Sequence, residues 1–379
     1  MENNGKYAPK IRFAYLDNLR SLVIVLVITG HSAVTYSGFG FWPYREASPG
    51  ELSFLESTFF GFYTSFLQAW GLGILFFTSA FFSTKALAKR GPLKFMRERL
   101  FRLGLPLLIY VFVISPIVYF VLIDNRSEYG HNYLGYLLNF KWLGAIGPLW
   151  FVEVLLIFCI IYAGVKAIVP KPIVVQSIKT KSIVSAILLT TIAAFLIRLV
   201  FPIGTKFLYL QVTYFASYIV LFIAGVIVGE SNLLEQINKK QNIRWLKLAL
   251  IIGIPFWGLI MIFGGSIKGY TYIYGGFYWQ SFAYALWESF TAIGFSIGLI
   301  AFLKEYLNKA NRFSKILAEN SFGMYVFHAP ILIATSLLLK HLEANLFLKF
   351  ITAALIAYFF TFLFTFIIRK IKPLGIIFK

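Results

Sequence analysis

Between Leu19 and Tyr36 the chain reads LRSLVIVLVITGHSAVTY. As a helix this stretch rises roughly 27 Å at 1.5 Å per residue, close to the ~30 Å of hydrocarbon in a bilayer. Arg20 and His31 are its only charged or imidazole side chains. A secretory signal peptide also starts basic and turns apolar, but its apolar core is shorter and is discarded. A disposable core would have no use for Arg20 and His31, so the stretch reads as a retained spanning helix.

Nine further runs of the same kind follow. They extend from about Thr58 to Ser83, Leu103 to Ile123, Gly147 to Val169, Ile183 to Phe201, and Val212 to Gly229. The remaining four cover about Trp245 to Phe263, Gln280 to Leu303, Ser321 to Leu339, and Phe347 to Ile368. The expected fold class is therefore all-α, a polytopic bundle of about ten transmembrane helices. A single membrane domain over residues 1–379 is expected, with no soluble domain appended. Composition agrees: 59% of the 379 residues are hydrophobic, against roughly 45–50% in soluble domains, and mean hydropathy is +0.78.

The chain carries 35 Lys+Arg against 15 Asp+Glu. Such an excess can signal nucleic-acid binding, but here the cations sit in short loops on one side of the apolar runs. One set of loops holds Lys85, Lys89, Arg90, Lys94, Arg97, Arg99 and Arg102, then Lys171, Lys179 and Lys181, then Lys239, Lys240 and Arg244. Lys304, Lys309, Arg312, Lys315, Arg369, Lys370, Lys372 and Lys379 complete it. The alternate loops hold only Arg45, Arg126, Lys141, Lys206, Lys268, Lys340 and Lys349. The positive-inside rule then predicts a cytoplasmic basic face with both termini on it, and no nucleic-acid partner. Trp42, Trp142, Trp245, Trp279 and Trp287 fall near expected span ends, where aromatic belts form. The single cysteine, Cys159, reads as a small buried hydrophobe.

Charged groups within hydrocarbon are costly, so each asks for a reason. The embedded ones are His31, Glu153, Arg198, Glu288 and His328, while Arg20 and Glu230 stand at basic-side helix ends and could snorkel. From the expected helix starts, His31 lies about 12 Å below the far surface, Glu153 about 9 Å and Glu288 about 12 Å. His328 lies about 10 Å in from the basic side, and Arg198 is shallow on the far side. A shared level for His31, Glu153 and Glu288 suggests a general base with a carboxylate fixing its tautomer. His328 and Arg198 remain a possible second site, and no metal is expected. The alternative for each is a buried polar group that only bridges helices. On the basic side, Arg99 and Arg102 are three apart and should share a helix face. Such a pair suits phosphates, although positive-inside anchoring alone also explains it.

The run from Tyr15 to His31, YLDNLRSLVIVLVITGH, resembles the first helix of the membrane acyltransferase family 3, whose pattern is an Arg, ten residues, then a His. Arg20 and His31 occupy those places. Arg99 and Arg102 match the family's Arg-x-x-Arg at the start of the third helix. Phe76–Phe82, Gly147–Glu153 and Ser321–His328 look similar too. Glycines common in the first motif are replaced by Asn18 and Ser21, and one in the second helix by Ala80. The stretch from Phe54 to Pro106 looks most like the branch containing glucans biosynthesis protein C.

This resemblance implies an enzyme, an acyl-CoA-dependent O-acyltransferase in a bacterial-type inner membrane. It implies an acceptor hydroxyl on an envelope glycan or related molecule, with an acetyl or succinyl type of acyl group. His31 would be the base, Glu153 or Glu288 its support, and Arg20, Arg99 and Arg102 the holders of acyl-CoA phosphates. His31 lies eleven positions after Arg20, a rise of about 16 Å. The pantetheine arm resembles four or five extended residues and reaches on the order of 15 Å. An acyl group carried on His31 itself is a variant of this scheme. The competing class is a secondary transporter, since intramembrane Glu, His and Arg also build ion pathways. A membrane sensor or scaffold gives no reason for the Arg20–His31 spacing.

Overall fold

The computed structural model describes residues 13–123, 132–138, 140, 146–235 and 239–378, the side chains of 239–241 excepted. Arg126, Lys141, Trp142 and Lys379, used above for topology, lie outside the described residues, as do the side chains of Lys239 and Lys240. Among the described residues, ten helices are long and apolar enough to cross a membrane. They are α1 (Ala14–Ser37), α2 (Phe54–Arg90), α3 (Pro92–Leu122), α4 (Gly147–Ile168) and α5 (Thr180–Val200). The rest are α6 (Val212–Glu230), α7 (Asn242–Phe263), α8 (Trp279–Tyr306), α9 (Arg312–Leu338) and α10 (Leu346–Ile368). A short helix, α11 (Lys372–Ile377), follows. No β-strand occurs among the described residues.

Every expected span is present, but several run further on the basic side than hydropathy indicates. Helix α2 continues to Arg90, α3 begins at Pro92, and α9 begins at Arg312. Hydropathy measures the apolar layer, whereas a helix ends where capping groups satisfy its free N–H and C=O groups. The Asn311 side chain accepts from Ser314 N and Ser314 answers to Asn311 N, which fixes the start of α9. Ser53 and Glu56 form the same reciprocal cap at the start of α2.

Close packing depends on small residues, because lipid supplies no hydrophobic drive between helices. Gly225 and Gly229, four apart on α6, lie against α2. A Cβ at Gly225 would stand 2.3 Å from Phe77 O, and one at Gly229 would stand 2.4 Å from Thr84 Oγ1. Helices α1 and α9 run parallel: Ser21 Oγ meets Ser321 Oγ at 3.3 Å near one end, and His31 meets His328 further along. Helix α8 is the most enclosed of the ten, while α5 and α10 expose Leu189, Leu196, Leu355 and Phe359 outward.

The belt expectation fails for three tryptophans. Trp42, Trp245 and Trp287 are buried within the protein, and Trp287 Nε1 donates to Gly253 O at 2.8 Å. Trp279 is exposed. Cys159 is buried beside Ser83, as expected. Glu230 does not snorkel. It accepts from Lys166 Nζ at 2.8 Å, from the Tyr162 phenol at 2.7 Å and from Ile173 N at 2.6 Å, clasping the α4–α5 connection to α6.

Candidate active site

Helix α1 ends at Gly38, whose φ of +71° places it in the left-handed region. A Cβ there would stand 2.8 Å from Ala47 O, so only glycine lets the next loop fold back this tightly. Glu46 N donates to Thr35 O at 2.8 Å, and the Glu46 carboxylate pairs with Lys349 of α10. This folded loop carries Trp42 over His31, with ring centroids 4.1 Å apart and planes within 16°.

His31 lies against α9. Its Nδ1 is 2.9 Å from His328 Nε2. The two ring planes agree within 15°, yet the centroids are 5.0 Å apart, so the rings meet edge to edge rather than face to face. His328 is fully buried, and its Nδ1 is 2.6 Å from the Tyr325 carbonyl. A carbonyl can only accept, so His328 Nδ1 carries the proton and Nε2 the lone pair. His31 Nδ1 must then donate to that lone pair, leaving His31 Nε2 with its own lone pair, which none of the described residues occupies. Tyr325 is held in turn, since its phenol donates to Pro148 O at the start of α4.

The level argument therefore chose the wrong partner for His31. With α9 starting at Arg312, His328 lies sixteen residues in, about 24 Å. His31 lies seventeen residues into α1, about 26 Å. The two are level, and the expected start at Ser321 had hidden it. Neither carboxylate is a partner of His31. Glu288 forms an ion pair with Arg198 of α5, whose Nε also donates to Thr213 Oγ1 at 3.2 Å. Arg198 stands over the Tyr284 ring at 5.4 Å and is 0% exposed. Arg198 thus belongs with Glu288 and not with His328. Glu153 Oε1 accepts from the Tyr209 phenol at 2.7 Å. Burial and this carboxylate push the Tyr209 phenol up to about 12.

The three arginines also part company. Three π-helical turns interrupt α3, the first at Leu100–Gly104. A π turn widens the helix, so residues three apart no longer superpose. Arg99 turns inward, its Nη2 donating to Ser83 Oγ at 3.1 Å and its guanidinium lying 5.0 Å from the Phe95 ring centre. Arg102 faces outward into a cavity of about 900 Å³ on the basic face. Arg90, Lys94, Arg97, Glu98, Phe101 and Ile376 also line that cavity, and Arg90 pairs with Glu98. Arg20 is not among its lining residues.

Sequence reasoning missed Trp42, Tyr209, Lys94 and Arg97 as site residues. The sequence reads Trp42 as a belt residue and the cations as topology signals. Gly38 and Gly40, between the His31 helix and Trp42, are the signal in the sequence for a loop that folds back over that helix.

A family model described as an acyltransferase domain matches residues 13–370. No curated protein and no solved structure matches the chain.

Proposed function

Since the chain belongs to the membrane acyltransferase family 3, we propose that it acylates a hydroxyl group with His31 as general base and a neutral His328 behind it. The observation that carries this reading is the ordered relay from the Tyr325 carbonyl through His328 to His31, which leaves His31 Nε2 free to take a proton. The acceptor hydroxyl gives its proton to that nitrogen as its oxygen bonds to the acyl carbon. The bond from that carbon to the thioester sulfur breaks, and the proton passes from His31 to the departing thiolate. While His31 is an imidazolium, two groups favour it. Its Nδ1–H bond to His328 becomes charge-assisted, and the Trp42 face lies 4.1 Å away, where a ring quadrupole attracts a cation.

The donor in this reading is acyl-CoA, held on a cytoplasmic basic face. The cavity bearing Lys94, Arg97 and Arg102 fits its phosphates in size and sign. The acceptor is an envelope glycan or a related hydroxyl compound, as in the branch containing glucans biosynthesis protein C, and the membrane is a bacterial-type inner membrane. Purified full-length chain in lipid nanodiscs, given radiolabelled acetyl-CoA and a glucan oligosaccharide, tests this. His31→Gln should lower transfer 10²–10⁴-fold. Transfer by His31→Gln at the wild-type rate overturns the base role.

A further inference from the structure

We propose that Glu153 and Tyr209 form a hydroxyl-recognition subsite for a polyhydroxylated acceptor at the mouth of the His31 site. The chemistry assigned to the acceptor rests on the acyl-transfer reading; the geometry of the subsite does not. Glu153 stands near the start of α4, with Oε1 occupied by the Tyr209 phenol. Its Oε2 is enclosed, and none of the described residues donates to it. A carboxylate oxygen shut away from water without a donor is costly, and native proteins rarely leave one so. A ligand hydroxyl would supply the donor in a charge-assisted bond.

Tyr209 is delivered by a tight turn in which Phe207 and Leu210 exchange two backbone hydrogen bonds of 3.0 Å. Leu208 in that turn has φ +57°, a conformation that disfavours a branched side chain. Its side chain is 79% exposed, so its own packing does not account for the strain. What the turn achieves is the placement of Tyr209 against Glu153, and retained strain of this kind concentrates at binding sites.

Two separate ties connect the segments that carry Tyr209 and Glu153 with the elements around His31. On the loop side, Lys206 Nζ lies 3.8 Å from the Phe41 ring centre, and the next residue, Trp42, covers His31. On the helix side, the start of α4 is bound through Pro148 O to Tyr325, whose carbonyl fixes His328. One hydroxyl at His31 and another at Glu153 require a ligand with several, which is the chemistry of a sugar.

Binding of maltotriose to the full chain in nanodiscs, followed by saturation-transfer NMR titration, tests the subsite without catalysis. Glu153→Gln should weaken binding about tenfold or more, and Tyr209→Phe should weaken it in the same direction, whereas Lys179→Ala should not. Tyr209→Phe, a conservative change in a loop, keeps the test readable should Glu153→Gln fail to insert. If the wild-type chain does not bind maltotriose, or both variants bind it as tightly as wild type, the subsite falls whatever His31 does. If the variants lose binding while His31→Gln still transfers acyl groups, the subsite stands and the base assignment falls.

Discussion

Two pairs of ionisable residues sit in the same helical bundle and are built to opposite ends. Arg198 and Glu288 bring opposite formal charges together between α5 and α8, with Thr213 and Tyr284 around them. His31 and His328 bring two neutral rings together between α1 and α9. Arg198 is sealed at 0% exposure, whereas His31 keeps a partly exposed edge under Trp42. A closed ion pair has both charges answered and holds helices together. A histidine pair anchored at one end by a carbonyl has one lone pair left over, and a leftover lone pair is what a general base needs. Burial and charge alone would rank the ion pair as the more conspicuous site, whereas the spare acceptor is the reason the proposed base is His31.

The contrast can be broken most sharply at His328. His328→Leu removes the acceptor for His31 Nδ1 and frees the His31 tautomer. Transfer should fall about 10²-fold or more, with the thermal midpoint in detergent close to wild type. A large drop in stability with per-molecule activity unchanged would make the histidines architectural.

The reciprocal experiment is Glu288→Leu, which strands the buried guanidinium. Stability should fall by about 3–5 kcal/mol, while folded molecules retain transfer. Adding Arg198→Leu should recover most of that loss, since two apolar groups need no partner. If the single variant unfolds no more easily than wild type but loses transfer, the ion pair has a catalytic part and the contrast collapses.

A smaller effect is expected at the cover of the histidine pair. Trp42→Leu keeps apolar burial but removes the ring face beside the developing imidazolium. A loss of roughly 1–2 kcal/mol of transition-state stabilisation is expected, visible as a lower kcat with little change in acetyl-CoA KM. An unchanged kcat would reduce Trp42 to packing.

The smallest effect concerns the third polar pair, Tyr209 and Glu153, which lies outside the comparison and calibrates it. The Tyr209 phenol should ionise at about 12 by ultraviolet difference absorbance, with burial the larger cause and Glu153 the next. A phenol held protonated in the folded state stabilises it fully below the unfolded value of about 10. That contribution disappears as pH rises through about 12. Glu153→Gln should bring the midpoint part of the way back towards 10. No movement would mean that the carboxylate does not face the phenol.

Much of this protein is legible along the chain because a bilayer imposes one-dimensional rules. Each crossing needs about twenty apolar residues, so ten spans could be marked from the sequence and all ten are helices. His31 stood out for a similar reason: an imidazole in an apolar run is an exception that needs explaining. Depth was legible as well, but only as far as the helix starts were. The capped start of α9 at Arg312 lies in a polar stretch that hydropathy passes over, and moving it brings His328 level with His31. Tertiary structure alone decided which of several level polar groups meet. Azimuth around each helix, the π turns that rotate Arg99 away from Arg102, and the Gly38 fold-back that seats Trp42 set those contacts. Such contacts join residues as far apart as 31 and 328 in sequence. Hydropathy fixes where a residue lies along the membrane normal, but the packing of ten helices fixes the direction in which it points, and that direction gave Glu288 to Arg198 and His328 to His31.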